Sequence, residues 1–154
     1  MSGPSPARHI LIARERALGV QLGPALMALG ELRPHEATTQ SRVRKSAHMH
    51  VRWSAMRSRV VVDAIDHVVL DGHHRLAVAH RLGLRCVPVL LVDPSTVKVQ
   101  RRGTHEPITH AEVVDHVRTK GVMPARSTKY DLSGLDVTCD VTLDRLRHPA
   151  DDSL

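Results

Sequence analysis

Aromatic residues are almost absent from this chain of 154 residues, which has no Phe, one Trp and one Tyr. This scarcity argues against a surface that stacks single-stranded bases on aromatic rings. No apolar run reaches the roughly 20 residues that a membrane-spanning helix needs. Charged residues at positions 14–16 interrupt the apolar N-terminal segment, so we expect neither a secretory signal nor a membrane partner.

Cysteine is scarce as well, and several familiar motifs are missing. Cys86 and Cys139 are far apart and form no CxxC pair, so they cannot build a structural zinc site alone, and we expect a cytoplasmic location. The patterns GxxxxGK[ST], GxGxxG and GxSxG do not occur. A P-loop, a Rossmann phosphate site and a hydrolase nucleophile elbow therefore have no support.

Positive charge is what the sequence has in excess. Lys and Arg total 22 against 16 for Asp and Glu, which gives a net charge of +6 and a pI near 10.1. Hydrophobic residues make up 42% and charged residues 25%, as in a globular domain. The basic balance predicts an anionic partner, namely a nucleotide, a phosphorylated metabolite or a nucleic acid.

The composition changes along the chain. We expect a flexible N-terminus over residues 1–8, a single domain over residues 9–135 and a C-terminal tail over residues 136–154. Apolar spacing predicts helices over residues 38–53 and 109–120, and a third that follows Asp71 and ends at Gly83. The predicted strands cover residues 26–32, 58–63, 67–70, 87–92 and 96–100, and residues 123–134 are expected to be a loop.

The strongest candidate site is Asp71-Gly72-His73-His74-Arg75, between a Val-rich strand and a helix. The N-terminus of a helix presents free N–H groups and partial positive charge, which suits a phosphate. Gly72 permits close approach of the backbone, and the three basic side chains add donors. Asp71 is positioned to hold Mg²⁺ or to orient a hydroxyl. The alternative is an Asp N-cap followed by solvated side chains.

Two further segments carry candidate groups. Glu36 follows a predicted strand on a loop that Pro34 stiffens, where it is either a general base or a solvent-exposed acid. The segment PARSTKY, residues 124–130, has two cations and two hydroxyls and is either a phosphate clamp or a solvated basic loop. Trp53 is expected in the core or in the lining of a pocket. The spacing of the 12 histidines predicts no zinc site.

The order LRPHE, VVLDGHHRLAVAHRLGLRCVPVLLVD and MPARSTKY resembles the ParB/sulfiredoxin-like superfamily, and within it the branch of free L-serine kinases. The resemblance covers residues 26–131. It implies an α+β fold in which helices flank a small mixed sheet. It also implies a kinase that transfers a phosphoryl group from ATP or ADP, with Mg²⁺, to the hydroxyl of free L-serine and gives O-phospho-L-serine.

The resemblance assigns roles to single residues. Glu36 would accept the proton of the serine hydroxyl. From the residues themselves, Asp71 and His74 are also expected to assist catalysis, Asp71 by holding Mg²⁺ or by positioning the phosphoryl donor. His35 and Trp53 are expected near the amino-acid substrate. The groups expected at the nucleotide phosphates are Gly72, His73, His74, Arg75, Arg126, Ser127, Thr128 and Lys129.

The chain also departs from its relatives. Ala125 replaces a usual proline, Tyr130 stands where a histidine is common, and the region between Glu36 and Ser58 matches poorly. His73 occupies the place of the reactive cysteine of sulfiredoxins, so that chemistry has no support. The main alternative is a ParB-like, nucleotide-dependent DNA-binding or regulatory protein without kinase activity, which the basic charge favours. ATP or ADP as donor, and serine or another hydroxy amino acid as acceptor, both stay open.

Overall fold

The structure is a computed structural model that describes residues 6–150. The strands are β1 (Gly23–Ala28), β2 (Ala55–Ser58), β3 (Val60–Asp63), β4 (Val69–Asp71), β5 (Cys86–Val92), β6 (Lys98–Arg101), β7 (Thr128–Asp131) and β8 (Thr138–Thr142). Four of them form a mixed sheet in the order β1-β5-β3-β4, and the other four form two antiparallel ribbons, β2 with β8 and β6 with β7. The helices are α1 (Pro6–Leu18), α2 (Gln40–Trp53), α3 (His73–Arg81), α4 (His110–Lys120) and α5 (Leu143–Arg147).

The central strands are buried on both faces. Val60 and Val62 of β3 belong to one apolar cluster and Val61 to a second, because successive side chains of a strand point to opposite faces. The first cluster includes apolar residues of α2, α3 and α5, and the second includes those of α4. Helices thus cover both faces of the sheet, which explains why β3 and β5 are continuous apolar runs.

The α+β fold with a small mixed sheet is as predicted, and so are helices α2, α3 and α4. The strands predicted at residues 58–63 and 67–70 are present as β3 and β4 and form an antiparallel hairpin, and β3 runs parallel to β5 as in a βαβ unit. The strand predicted at 26–32 lies earlier, at Gly23–Ala28. It ends before residue 29 because residues 29–31 form a 3₁₀ helix. Among the described residues, no helix is long and apolar enough to cross a membrane.

Three local predictions need correction. Residues 123–134 are not a loop throughout, because β7 lies inside them, with Thr128 and Tyr130 buried and the residues between and after them exposed. Residues 6–8 of the predicted flexible N-terminus form the first turn of α1, whereas residues 1–5 lie outside the described part. The predicted tail contributes β8 and α5, and Leu146 is fully buried in the first cluster.

Candidate functional site

The predicted site segments meet around a cleft with two lobes. One lobe, of about 840 Å³, lies against the β6–β7 ribbon and is called the ribbon lobe; its lining includes Lys98, Gln100, Lys129 and Tyr130. The other, of about 550 Å³, lies at the N-terminus of α3 and is called the helix lobe; its lining includes Arg42, Gly72, His74, Arg75 and Arg126. Both lobes are lined by Glu36, Asp71, His73 and Arg102.

Glu36 stands on a segment that is fixed on both sides. Residues 33–37 run beside residues 67–69 through two backbone hydrogen bonds of 2.9 Å. On the other side, two backbone hydrogen bonds of 2.7 and 2.9 Å join the segment to Met123. This pairing places the carboxylate at the boundary of the two lobes without help from a regular strand.

The carboxylate of Glu36 is held by side chains and backbone together. Its Oε1 accepts hydrogen bonds from Thr128 N (2.9 Å) and from Thr128 Oγ1 (2.7 Å), and it lies 3.6 Å from His35 Nε2. Burial raises the pKa of Glu36, but the hydrogen bonds of His35 and Thr128 lower it more, and the resulting pKa is about 2. Glu36 is therefore an anion with one oxygen fully engaged.

This geometry changes two predicted roles. His35 was expected near the substrate, yet its side chain is only 1% exposed and contacts Val69 O and Thr128 Oγ1. Thr128 was expected at a phosphate, yet it is buried and its hydroxyl is used by Glu36. Both residues lie behind the carboxylate, because the alternation of β7 points Thr128 inward.

His73 connects the N-terminus of α3 to the Glu36 segment. Its Nε2 is 3.1 Å from His35 N and 3.3 Å from Glu36 N, so it accepts from both backbone N–H groups. Burial and the neighbouring His35 lower its pKa to about 3. His73 is thus neutral, and its Nδ1 carries the hydrogen.

The turn before α3 has the form expected for an anion site. Gly72 is the N-cap residue with φ +102°, and the N–H groups ahead of Leu76 have no acceptor within the helix. Arg75 folds back: its guanidinium donates to Arg59 O (3.1 Å) and to Asp71 (3.3 Å). Its buried Nε has no hydrogen-bond partner among the described residues.

Cations surround this turn. Arg42 of α2 and Arg126, which has a positive φ of 58°, have no hydrogen-bond or ion-pair partner within residues 6–150. Burial, followed by the charges of Arg42 and Arg126, lowers the pKa of His74. Arg102 lines both lobes while its Nε donates to Thr128 O (2.9 Å). Sequence reasoning missed Arg42 and Arg102, because neither belongs to a motif and only tertiary folding brings them here.

Other predicted residues lie at the edge of the cleft or away from it. Asp71 lines both lobes and is 59% exposed, and Lys129 lines the ribbon lobe. Ser127 donates its hydroxyl to Pro124 O and lines a different cavity beside α4. Trp53 lies at the end of α2, is 37% exposed and lines neither lobe. The Cζ atom of Arg57 lies over its ring, 4.7 Å from the ring centroid.

The described residues have an α+β fold in which helices flank a small mixed sheet, and solved structures share this fold. No family model matches the chain. A ParB-like protein of Sulfolobus acidocaldarius is 33% identical over 72 residues, which are 47% of this chain and 36% of that protein. The match thus spans about a third of the curated relative.

Solved structures agree on the fold. SbnI with a C-terminal truncation, from Staphylococcus aureus, has a TM-score of 0.76 at 15% identity and covers 84% of this chain and 91% of its own. A free serine kinase in complex with AMP has a TM-score of 0.73 at 13% identity, covering 81% and 94%. A conserved hypothetical protein from Pyrococcus furiosus has a TM-score of 0.72 at 13% identity, covering 81% and 97%. The resemblance to ParB-like proteins and free serine kinases is confirmed.

Proposed function

We propose that this protein is a small-molecule kinase that transfers a phosphoryl group from ATP or ADP to the hydroxyl of free L-serine. The observation that carries the proposal is one cleft in which the anionic Glu36 faces a helix N-terminus surrounded by cations. Phosphoryl transfer depends mainly on positioning and on neutralisation of charge, and this cleft supplies both. Structural neighbours described as free serine kinases in complex with AMP and ADP support a nucleotide as donor.

The helix lobe is the proposed phosphate site. Gly72 supplies the positive φ of the turn and lets the Arg75 guanidinium lie against the backbone, and the first turn of α3 has free N–H groups that suit an anion. Arg42 and Arg126 supply positive charge, and the neutral His73 and His74 supply N–H donors. Arg75 supports the turn by donating to Arg59 O and to Asp71.

Glu36 is the proposed general base. Its position at the boundary of the lobes lets it face a hydroxyl group that lies beside the transferred phosphoryl group. A pKa of about 2 keeps Glu36 ionised across the physiological range, which is the form that can accept a proton. It also makes Glu36 a weak base, so the proposed proton transfer accompanies bond formation to the phosphoryl group rather than preceding it. General-base assistance of this kind contributes about 10²–10⁴-fold in rate.

Asp71 is the proposed protein ligand of Mg²⁺. This ion is usually held by one or two carboxylates together with substrate phosphates and water, and Asp71 is an exposed carboxylate that lines both lobes. Arg75 donates to Oδ2 of Asp71 at 3.3 Å, and Oδ1 has no partner among the described residues. The ion, when bound, neutralises charge on the phosphates.

A ³¹P NMR time course tests the proposal. The protein is incubated with Mg²⁺, L-serine and either ATP or ADP, and we expect the phosphomonoester signal of O-phosphoserine together with ADP or AMP. L-threonine and L-homoserine in parallel samples define the acceptor. Nucleotide binding without formation of any phosphate ester would contradict the proposed kinase activity. It would favour the regulatory alternative, for which the match to a ParB-like protein is the supporting observation. In that case, the next experiment compares the affinity of the protein for specific and for random DNA duplexes as the salt concentration is raised.

A further inference from the structure

The hydrogen bonds behind Glu36 allow one assignment of protons when the carboxylate is ionised. Thr128 Oγ1 lies 2.7 Å from Glu36 Oε1 and 2.8 Å from His35 Nε2. A hydroxyl has a single hydrogen, and an ionised carboxylate only accepts. Thr128 therefore donates to Glu36 and accepts from His35, so Nε2 of His35 must carry a hydrogen.

The other ring nitrogen is determined in the same way. Nδ1 of His35 lies 2.5 Å from Val69 O. A carbonyl oxygen has no hydrogen to give, so Nδ1 must donate as well. Both nitrogens then carry hydrogens, and the ring is an imidazolium.

We infer that His35 is a buried imidazolium that acts through the Thr128 hydroxyl to keep Glu36 ionised and oriented, leaving Oε2 of Glu36 as the atom that receives the substrate proton. This inference rests on the proposed function of Glu36 as a base. His35 and Thr128 are positioning residues in it: the side chain of His35 is 1% exposed, and Thr128, which lines the ribbon lobe but is 5% exposed, has its hydroxyl engaged by Glu36 and His35.

The surroundings of the ring are consistent with a cation that has one counter-ion. Glu36 Oε1 is 3.6 Å from Nε2. The ring of His73 is 4.6 Å away and neutral, with its Nε2 engaged by two backbone N–H groups. The ring of Tyr130 is 5.7 Å away, and its hydroxyl is turned to His110 at 2.7 Å. A buried charge needs a partner, and among these groups Glu36 is the anion that supplies it.

The single hydrogen of the Thr128 hydroxyl fixes the direction of the hydrogen bonds that run from His35 to Glu36. If the proton of His35 moved through Thr128 to Glu36, the same three groups would hold the same number of protons, but Glu36 would be an acid and unable to accept another. The charged arrangement is therefore the competent one. Removing the hydroxyl breaks the hydrogen-bonded link between the two charges, and Glu36 loses one of the hydrogen bonds that counter its burial while it keeps the one from Thr128 N.

The direct test is ¹⁵N NMR of the histidine rings in the full chain at pH 7, without ligand. Loss of one signal set in His35→Gln assigns His35 among the 12 histidines. We expect both nitrogens of His35 to be protonated in the wild type and in Thr128→Ser, and one to lose its proton in Thr128→Val. An unprotonated ring nitrogen of His35 in the wild type would overturn the inference. The readout needs no activity, so it is independent of whether serine is phosphorylated.

Kinetics give a second readout. In Thr128→Val we expect kcat to fall at least tenfold with the KM for nucleotide unchanged, because orientation of the base is lost. The rate of the wild type should be flat down to about pH 4, whereas that of Thr128→Val should decline below about pH 5 as Glu36 returns toward its ordinary pKa. Thr128→Ser should restore both properties. A Thr128→Val protein with the wild-type rate and pH profile would contradict the role of the hydroxyl.

Discussion

The two walls of the cleft are built on opposite principles. On the acidic wall, Glu36, Thr128 and His35 satisfy one another through a short chain of hydrogen bonds. On the cationic wall, Arg42 and Arg126 have no partner in the described part of the chain, and the first turn of α3 has free N–H groups.

The difference lies in hydrogen bonding: the polar groups of the acidic wall are paired with one another, whereas donors of the cationic wall are unpaired among the described residues. A general base must be held in one orientation before the substrate arrives, since misplacement is costly in rate. An anion site must keep its donors unoccupied, because each internal partner would compete with the phosphate. Under the proposed function, the acidic wall is preorganised for proton transfer and the cationic wall for binding the phosphates. Substitutions on the two walls should consequently have separable effects.

The largest expected effect is on the acidic wall. Glu36→Gln should lower the rate of phosphoryl transfer by about 10²–10⁴-fold, because the amide cannot accept the hydroxyl proton. Its nucleotide affinity, measured by calorimetry, should stay within about twofold of the wild type. Glu106→Gln, at an exposed position before α4, is the matched control and should keep full turnover. Equal turnover of Glu36→Gln and the wild type would remove the base from the mechanism.

The next effect is on the turn of the cationic wall. Gly72→Ala should weaken nucleotide binding at least tenfold, because φ is +102° and an added Cβ would lie 2.9 Å from Arg75 Nη2. Gly83→Ala is a close control, since Gly83 also has a positive φ (+67°) but open space around it, away from the cleft. Both variants should lose about 1 kcal/mol of stability in urea unfolding. If only stability changes in Gly72→Ala, the turn does not hold the phosphates.

A smaller effect is expected from the free arginines. Arg42→Ala and Arg126→Ala should each weaken nucleotide binding by about threefold to tenfold, with kcat at saturation reduced less, and the loss should shrink at high salt. Arg44→Ala, exposed on the same helix but not in the lining of the cleft, tests for a general effect of charge. An equal loss in Arg44→Ala would show that net charge, and not the cleft, attracts the nucleotide.

His73 contacts both walls of the cleft, and its substitution should change how the free energy of unfolding depends on pH. Its folded pKa of about 3 lies below its ordinary value of 6.5, so the folded state favours the neutral ring. The stability this supplies is present above about pH 6.5 and is lost as pH falls toward 3, at about 1.4 kcal/mol per pH unit. Urea midpoints between pH 7 and pH 5 should therefore fall less in His73→Gln. Parallel curves for the two proteins would contradict a neutral, engaged His73.

No effect is expected from Trp53→Phe on turnover or nucleotide affinity, since Trp53 lines neither lobe. Steady-state kinetics with serine check this. A raised KM for serine would return Trp53 to the substrate site that the sequence predicted for it.

The sequence predicted the elements that have strong patterns. The Val-rich strands and the helix after Gly72 are visible as periodicity and punctuation, and they are present in the structure. β7 was missed because it has only four residues, of which two are charged and face outward. Its pairing with β6 is a tertiary contact that no local pattern reports.

The residues of the candidate site were predicted or missed for the same reason, namely whether a local pattern reports them. The turn of α3 and Glu36 were found because each belongs to a local segment with recognisable chemistry. Arg42 and Arg102 were missed, since neither belongs to a recognisable motif and only the placement of α2 and of the end of β6 brings them to the cleft. His35 and Thr128 were found as polar residues near the site, but their burial behind Glu36 depends on the packing of β7 against the segment at residues 33–37.

The division of labour between the walls is tested most directly by ¹H–¹⁵N NMR titration of the wild type and Glu36→Gln with ADP and Mg²⁺. The account predicts that the amide signals of Gly72, His73, His74 and Arg75 shift most, and that both proteins give the same pattern and affinity. Shifts that leave this turn unchanged, or binding that disappears in Glu36→Gln, would contradict it.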